Sequence, residues 1–145
     1  DESDEGTFLD LVVKNKWNLQ RADLQGADLQ GAYLQGADLQ GAKLPYFQIP
    51  QEGELTVFKK LSNNTIAKLL IPATAKRTAS LVGRKCRAEF VQVLEGEGES
   101  LYVNSTKYTV GSIVKPDKYD DDIRTECSHG IHFFLTREEA EEFNY

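Results

Sequence analysis

The chain has 145 residues, 40% hydrophobic content and a formal net charge of −6, which suits one globular unit, or two small ones sharing an interface, with a core that needs no covalent staples. No apolar stretch approaches the ~18 residues of a membrane-spanning helix, so no membrane partner is expected, and two cysteines, Cys86 and Cys127, are too few for a secreted disulfide framework at this size. The acidic balance argues against wholesale nucleic-acid binding, and a reducing cytoplasm is the expected compartment.

Asp1 to Gly6 reads as an acidic, solvated leader without an apolar signal segment. A short helix is expected from Thr7, which would cap it, with Phe8, Leu11 and Val12 on one face. Trp17 is expected to cover the junction between this helix and the next segment. From Asn18 the chain repeats every five residues. Leucine recurs at Leu19, Leu24, Leu29, Leu34, Leu39 and Leu44, with Ile49 in the same phase, and alanine recurs at Ala22, Ala27, Ala32, Ala37 and Ala42. On a helix, leucines five apart advance by ~500° and form no stripe. In a strand, an odd spacing sends them to alternate faces. Gly26, Gly31, Gly36 and Gly41 would also weaken a helix by roughly 1 kcal/mol each. A chain that turns a corner every five residues satisfies all three phases, with Leu and Ala inside and Asp, Gln and Gly outside.

Ala22-Asp23-Leu24, Ala27-Asp28-Leu29 and Ala37-Asp38-Leu39 resemble the Ala-Asp/Asn-Leu pattern of the pentapeptide-repeat family. The resemblance covers residues 18–44 and weakens through Ile49, with Tyr33 and Lys43 at the Asp position and Pro45 ending the regular coil. It implies a short right-handed, four-sided β-helix with four pentapeptides per coil. The six or seven repeats make a coil under ~10 Å tall at the spacing of neighbouring strands. Longer members that mimic DNA are rods of many coils, and this one is too short for that role. Arrays of this kind need capped ends, so one end is expected to rest on the rest of the chain.

Pro45 to Gly53 reads as a joint. Beyond it, Leu55–Phe58 and Ile66–Ile71 form a hairpin turned at Ser62–Thr65 and stopped by Pro72. Residues 73–82 read as irregular or as a short helix. Ala88–Leu94 is one strand, Glu95–Gly98 a turn, and Leu101–Val103, Lys107–Val110 and Ile113–Val114 are short strands. An acidic loop over Asp117–Asp122 precedes a strand at Ile131–Leu135. Thr136-Arg137-Glu138-Glu139 is a capping box opening a terminal helix that turns Ala140 and Phe143 inward. The expected fold is therefore mainly β, with a repeat coil packed on a small antiparallel α+β domain that ends in a helix. Its divisions are 1–17, 18–50 and 51–145.

Two clusters carry chemistry. Cys127, His129 and His132 fall within six residues. Thiolate and imidazole suit zinc, with Cys86 as a fourth ligand, although the spacing C-x-H-x-x-H matches no common zinc module. Alternatively, Cys127 is a nucleophile with His132 or His129 as its base. A third reading makes Cys127 a buried structural thiol and His132 a hydrogen-bonded strand residue. No cofactor is expected beyond the zinc of the first reading. The second cluster, Lys76, Arg77, Arg84, Lys85 and Arg87, would suit an anion, because guanidinium groups fit phosphate and carboxylate. A solvated face balancing the acidic loop is the alternative.

Residues 55–143 also resemble an uncharacterised domain of large DNA viruses and of phage or environmental sequences, often found beside pentapeptide repeats. The resemblance rests on Ile71-Pro72, Ala75-Lys76-Arg77, Arg84-Lys85-Cys86-Arg87-Ala88, Glu126-Cys127 and Gly130-Ile131-His132-Phe133-Phe134. Lys76, Arg77, Lys85, Cys86, Arg87, Cys127, Gly130 and His132 fall on its motif positions, and His129 does not. It implies a viral or phage origin, hence a host cytosol, and carries no activity to transfer. Two functions are expected. The first is a non-catalytic protein-interaction or scaffold module, which self-associates or binds a protein partner, with Gln25, Gln30, Gln35 and Gln40 as an exposed row. The second is a small enzyme, or an anion- or nucleotide-binding domain, that uses the basic cluster with Cys127 and His132.

Overall fold

The computed structural model describes residues 15–24, 29, 32–43, 49–101 and 106–144. The helix expected from Thr7, the side chain of Trp17, Gln25, Gln30, Pro45 and most of the strand expected at 101–103 lie outside the described residues.

In the repeat segment, Leu19, Leu24, Leu29 and Leu34 are all buried, as are Ala32 and Ala37. The five-residue phase thus selects the inside of the turn. Asp23 bridges Lys43 in parallel, 20 residues on. Backbone bonds from Leu19 N to Asp38 O (3.1 Å), Arg21 N to Gln40 O (2.8 Å) and Leu24 N to Lys43 O (2.6 Å) run alongside it. Gly36 and Gly41 have φ of 78° and 69°, and Arg21, in the same repeat phase, has φ 61°. The corner therefore demands left-handed backbone, and glycine supplies it without a Cβ penalty. Among the described residues the segment consists of turns, a 3-10 turn at Lys16–Asn18 and this bridge, with no regular strand.

The remainder is mainly β, built from small antiparallel sheets with a C-terminal helix. β1 (Leu55–Lys60) and β2 (Ile66–Ile71) form the expected hairpin, paired from Leu55–Ile71 to Lys60–Ile66. Asn64 turns it at φ 61°, and Asn63 Oδ1 accepts from Thr65 N at 3.1 Å. β2 pairs with β5 (Val91–Glu95), and β5 pairs with β8 (Ile113–Val114). A second sheet contains β3 (Arg77–Ala79), β4 (Cys86–Ala88) and β9 (Ile131–Phe133) in that order. β6 (Gly98–Glu99) and β7 (Lys107–Tyr108) form a two-stranded ribbon that Glu99 O ties to Ser62 N of the β1–β2 turn at 2.9 Å. Phe58 and Phe134 exchange backbone bonds of 2.9 and 2.8 Å, joining the outer edge of β1 to the end of β9. Between the two joined sheets lie Val57, Leu69, Ile71, Val91, Val93, Cys86, Ala88 and Phe133, all at most 1% exposed.

The structure corrects two sequence expectations. Residues 73–82 hold β3 rather than an irregular stretch, because all three of its residues are buried and a strand covered on both faces shows no alternation. Ala88–Leu94 is two strands in different sheets. Glu89 N bonds Lys76 O at 2.8 Å, holding the corner where the chain crosses over. The terminal helix (Arg137–Glu142) starts on Thr136, whose hydroxyl accepts from Glu139 N at 3.2 Å. Ala140 is fully buried, and the Phe143 ring lies 5.2 Å from that of Phe134.

The apolar interior of the repeat is closed by residues of the second part. Val82 belongs to its cluster and Leu81 packs against it. Arg124 Nη1 donates to Ala37 O at 2.7 Å. Among the described residues no helix is long and apolar enough to cross a membrane.

Candidate functional site

The acidic loop before β9 is organised from inside by Arg87. In β4 it is fully buried, opposite Thr78 on one side and His132 on the other. It donates to four backbone carbonyls: Asp120 (2.5 Å), Asp122 (2.5 Å), Thr125 (2.6 Å) and Glu126 (3.2 Å). A guanidinium fork matches such a convergent set as no other side chain does. Gly130 has φ 147°, and a Cβ there would sit 2.9 Å from Arg87 Cβ, so the loop passes this strand only as glycine. Leu81 N to Ile123 O at 2.7 Å ties the loop to the residues that close the repeat.

Folding this loop back against β1, β7 and β9 leaves an open cleft of about 470 Å³, lined by residues that include Lys59, Tyr108, Asp117, Cys127, His129 and His132. Lys59, on the inward face of β1 two residues after Val57, is 9% exposed. Its Nζ donates to His132 O at 3.1 Å and lies 5.9 Å above the Tyr108 ring. Burial, with a smaller contribution from the Lys85 charge, lowers its pKa to about 8. His132 Nε2 lies 2.5 Å from Ser128 O. A carbonyl only accepts, so Nε2 carries the proton. Burial foremost, then the Lys85 and Lys59 charges, lowers the pKa of the ring to about 4 and keeps it neutral. At the rim His129 Nδ1 meets Asp117 Oδ1 at 3.3 Å, and this contact, with the Lys118 backbone N–H, holds the Asp117 carboxyl below its usual range. Ser128 Oγ donates to Asp120 Oδ2 at 2.5 Å, joining the cleft wall to the Arg87-pinned loop.

Cys127 is exposed in the cleft, with Lys85 Nζ 3.7 Å from its sulfur. Cys86 is elsewhere: it is fully buried in the main core, its thiol donates to Arg84 O at 3.5 Å, and burial pushes its pKa up to about 12. The structure therefore brings together Cys127, His129 and His132 but leaves Cys86 apart. Among the described residues no group of three His, Cys, Asp or Glu side chains is placed to hold a metal. The structural reading of Cys127 as a buried thiol is corrected, because the loop that holds it faces the cleft and not the core.

The five cations do not form one patch. Arg84 makes a two-pronged contact with Glu139 at 2.8 and 3.0 Å. Lys85 is buried, over the Phe143 ring at 4.9 Å. Arg87 is saturated by carbonyls. Lys76 and Arg77 line a separate groove. Lys59 is absent from the sequence-based candidates. Its signal is a lysine at the inward position of an alternating strand, Val57-Phe58-Lys59.

A five-residue repeat closed by a small β domain with a polar cleft describes a pentapeptide-repeat protein with an appended β domain. Residues 18–45 match the family profile for pentapeptide repeats (8 copies). Residues 45–140 match that of a family of unknown function (DUF5758), and the chain belongs to that family. No curated protein and no solved structure matches it.

Proposed function

We propose that this protein is a non-catalytic interaction module that couples a short repeat coil to a cleft binding a small ligand with acceptor oxygens, such as a carboxylate or phosphate. One observation carries the reading. Lys59 keeps an ammonium in a buried position beside the Lys85 charge, with one carbonyl acceptor and an aromatic face among the described residues, in the lining of an open cleft. A buried ammonium is unfavourable unless it is fully hydrogen-bonded, and a ligand oxygen would supply the missing acceptors. The contacts of Cys127 and His132 favour binding over nucleophilic catalysis. His132 Nε2 is engaged by Ser128 O, and the sulfur of Cys127 faces Lys85 instead of an imidazole, whereas an activated thiol requires its base within hydrogen-bond reach.

The coil in this reading is a right-handed, four-sided β-helix. The Asp23–Lys43 bridge supports it, since 20 residues is four pentapeptides. The loop held by Arg87 touches both the cleft wall, through Ser128, and the coil, through Arg124. A partner on the coil and a ligand in the cleft thus meet one shared segment. Gln35 and Gln40 are exposed on the coil, available to a second copy or another protein.

Cys127 supplies the test, with buried Cys86 as an internal control. Citrate and inorganic phosphate, each at matched ionic strength, should slow iodoacetamide alkylation of Cys127 in a saturable way, read by mass spectrometry. Lys59→Met should remove the protection. Alkylation rates indifferent to both anions would refute the proposal.

A further inference from the structure

Arg77 is the second deeply buried guanidinium of this fold, at 4% exposure, and it differs from Arg87 in one respect. Every nitrogen of Arg87 donates to a carbonyl. Among the described residues Arg77 uses only Nη2, toward Pro72 O at 3.1 Å and Ala75 O at 3.2 Å, and its Nε and Nη1 have no acceptor there. Those two nitrogens carry three of the five N–H donors of a guanidinium. Unpaired buried donors are rare in folded proteins, and each such group calls for a missing partner.

The side chain lines a groove of about 290 Å³ on the edge strand β3, together with Gln51, Lys76, Thr78, Tyr119, Asp121 and Ile123. The Thr78 and Tyr119 hydroxyls are bonded to each other and so are engaged. Lys76 is exposed at this groove, and Asp121 is the one carboxylate among its described lining residues. Among the described contacts no acidic side chain pairs with Arg77, and burial lowers its pKa, the Tyr119 hydroxyl opposing that effect. The guanidinium is thus an uncompensated buried cation beside a second, exposed cation.

We infer that the groove is an oxyanion site, in which a carboxylate or phosphate group accepts from Arg77 Nε and Nη1 while the Lys76 ammonium closes over it from the mouth. Both nitrogens lie beneath solvent reach, so the bound group meets them after a small swing of the guanidinium into the groove. Ile123 and the Tyr119 ring give the ligand an apolar wall, and Asp121 favours a compact, singly charged group over a polyanion. None of these residues lines the Cys127 cleft, so this site stands or falls independently of that one.

The test is nuclear magnetic resonance of the side-chain Nε–Hε correlation of Arg77 in the full chain, assigned by its loss in Arg77→Lys or, should that variant not fold, by through-bond transfer from the backbone. Inorganic phosphate and acetate are titrated separately against chloride at matched ionic strength. The expected result is a saturable shift with at least one of the two oxyanions and an apparent Kd several-fold weaker in Lys76→Ala, an exposed position whose replacement leaves the core intact. A shift with phosphate alone assigns a phosphoryl ligand, and one with acetate alone a carboxylate. A resonance that exchanges with an ordered water only, that follows chloride equally, or whose affinity ignores Lys76→Ala would overturn the inference.

Discussion

Replacing Lys59 by methionine separates the stability of the fold from the use of the cleft. In the folded chain the pKa of Lys59 falls from 10.5 to about 8, and a shift of that size corresponds to about 3 kcal/mol against the charged form at neutral pH. Methionine of similar length removes that penalty. It also forfeits the hydrogen bond to His132 O, about 1–2 kcal/mol with a charged donor, and the Tyr108 contact, about 0.5 kcal/mol or more. At about pH 7 the variant should therefore equal or exceed the wild type by about 1 kcal/mol, while losing anion protection of Cys127. The pH dependence is the sharper signature. Between about pH 8 and 10.5 the unfolded chain keeps a proton on this lysine that the folded chain has released, so wild-type stability rises through that window. Urea melts at several pH values across it should show the wild type gaining on the variant by about 2–3 kcal/mol, with other titrating groups cancelling in the difference. A difference independent of pH, or a variant more than about 2 kcal/mol weaker at neutrality, would refute the argument that Lys59 is a destabilising ammonium retained for the cleft.

Two further outcomes test the framework around it. Arg87→Met leaves four carbonyls of the acidic loop without donors, so unfolding stability should fall by about 3–5 kcal/mol, and amide exchange should quicken at residues 120–126; unchanged exchange there would deny Arg87 its organising role. His132 is neutral in the fold, with a pKa of about 4 against an ordinary 6.5. The unfolded chain binds the extra proton, so stability is intact above about pH 6.5 and is lost as the pH falls toward about 4. With its partial exposure discounted, the loss is about 2 kcal/mol, and His132→Gln should flatten the acid limb of a urea-midpoint profile.

The repeat was legible because its information is local. Leucine and alanine each hold one phase, and burial of Leu19, Leu24, Leu29 and Leu34 follows from that phase alone. The β1–β2 hairpin and the Thr136 cap were legible for the same reason, since Asn63-Asn64 and Thr136–Glu139 make their bonds within a few residues. β3 and β4 were not, because short strands buried on both faces carry no period. The break after Ala88 was hidden for the same reason. Of the candidate site, the sequence marked Cys127, His129 and His132 by their proximity, and all three line one cleft. It missed Lys59, which lies 73 residues from His132 in the chain and meets it through the Phe58–Phe134 junction.

The basic cluster shows where the division falls. Composition and spacing determined that five cations would gather between residues 76 and 87, and that the chain would carry an apolar five-residue repeat. Only the tertiary structure decided what each cation does. Arg87 points into the carbonyls of a loop more than 30 residues ahead, Arg84 meets Glu139 on the terminal helix, Lys85 meets Cys127, and Arg77 is left with open donors. A side chain's charge is fixed by its own atoms. Whether that charge is saturated, desolvated or available to a ligand depends on which distant backbone the fold brings to it.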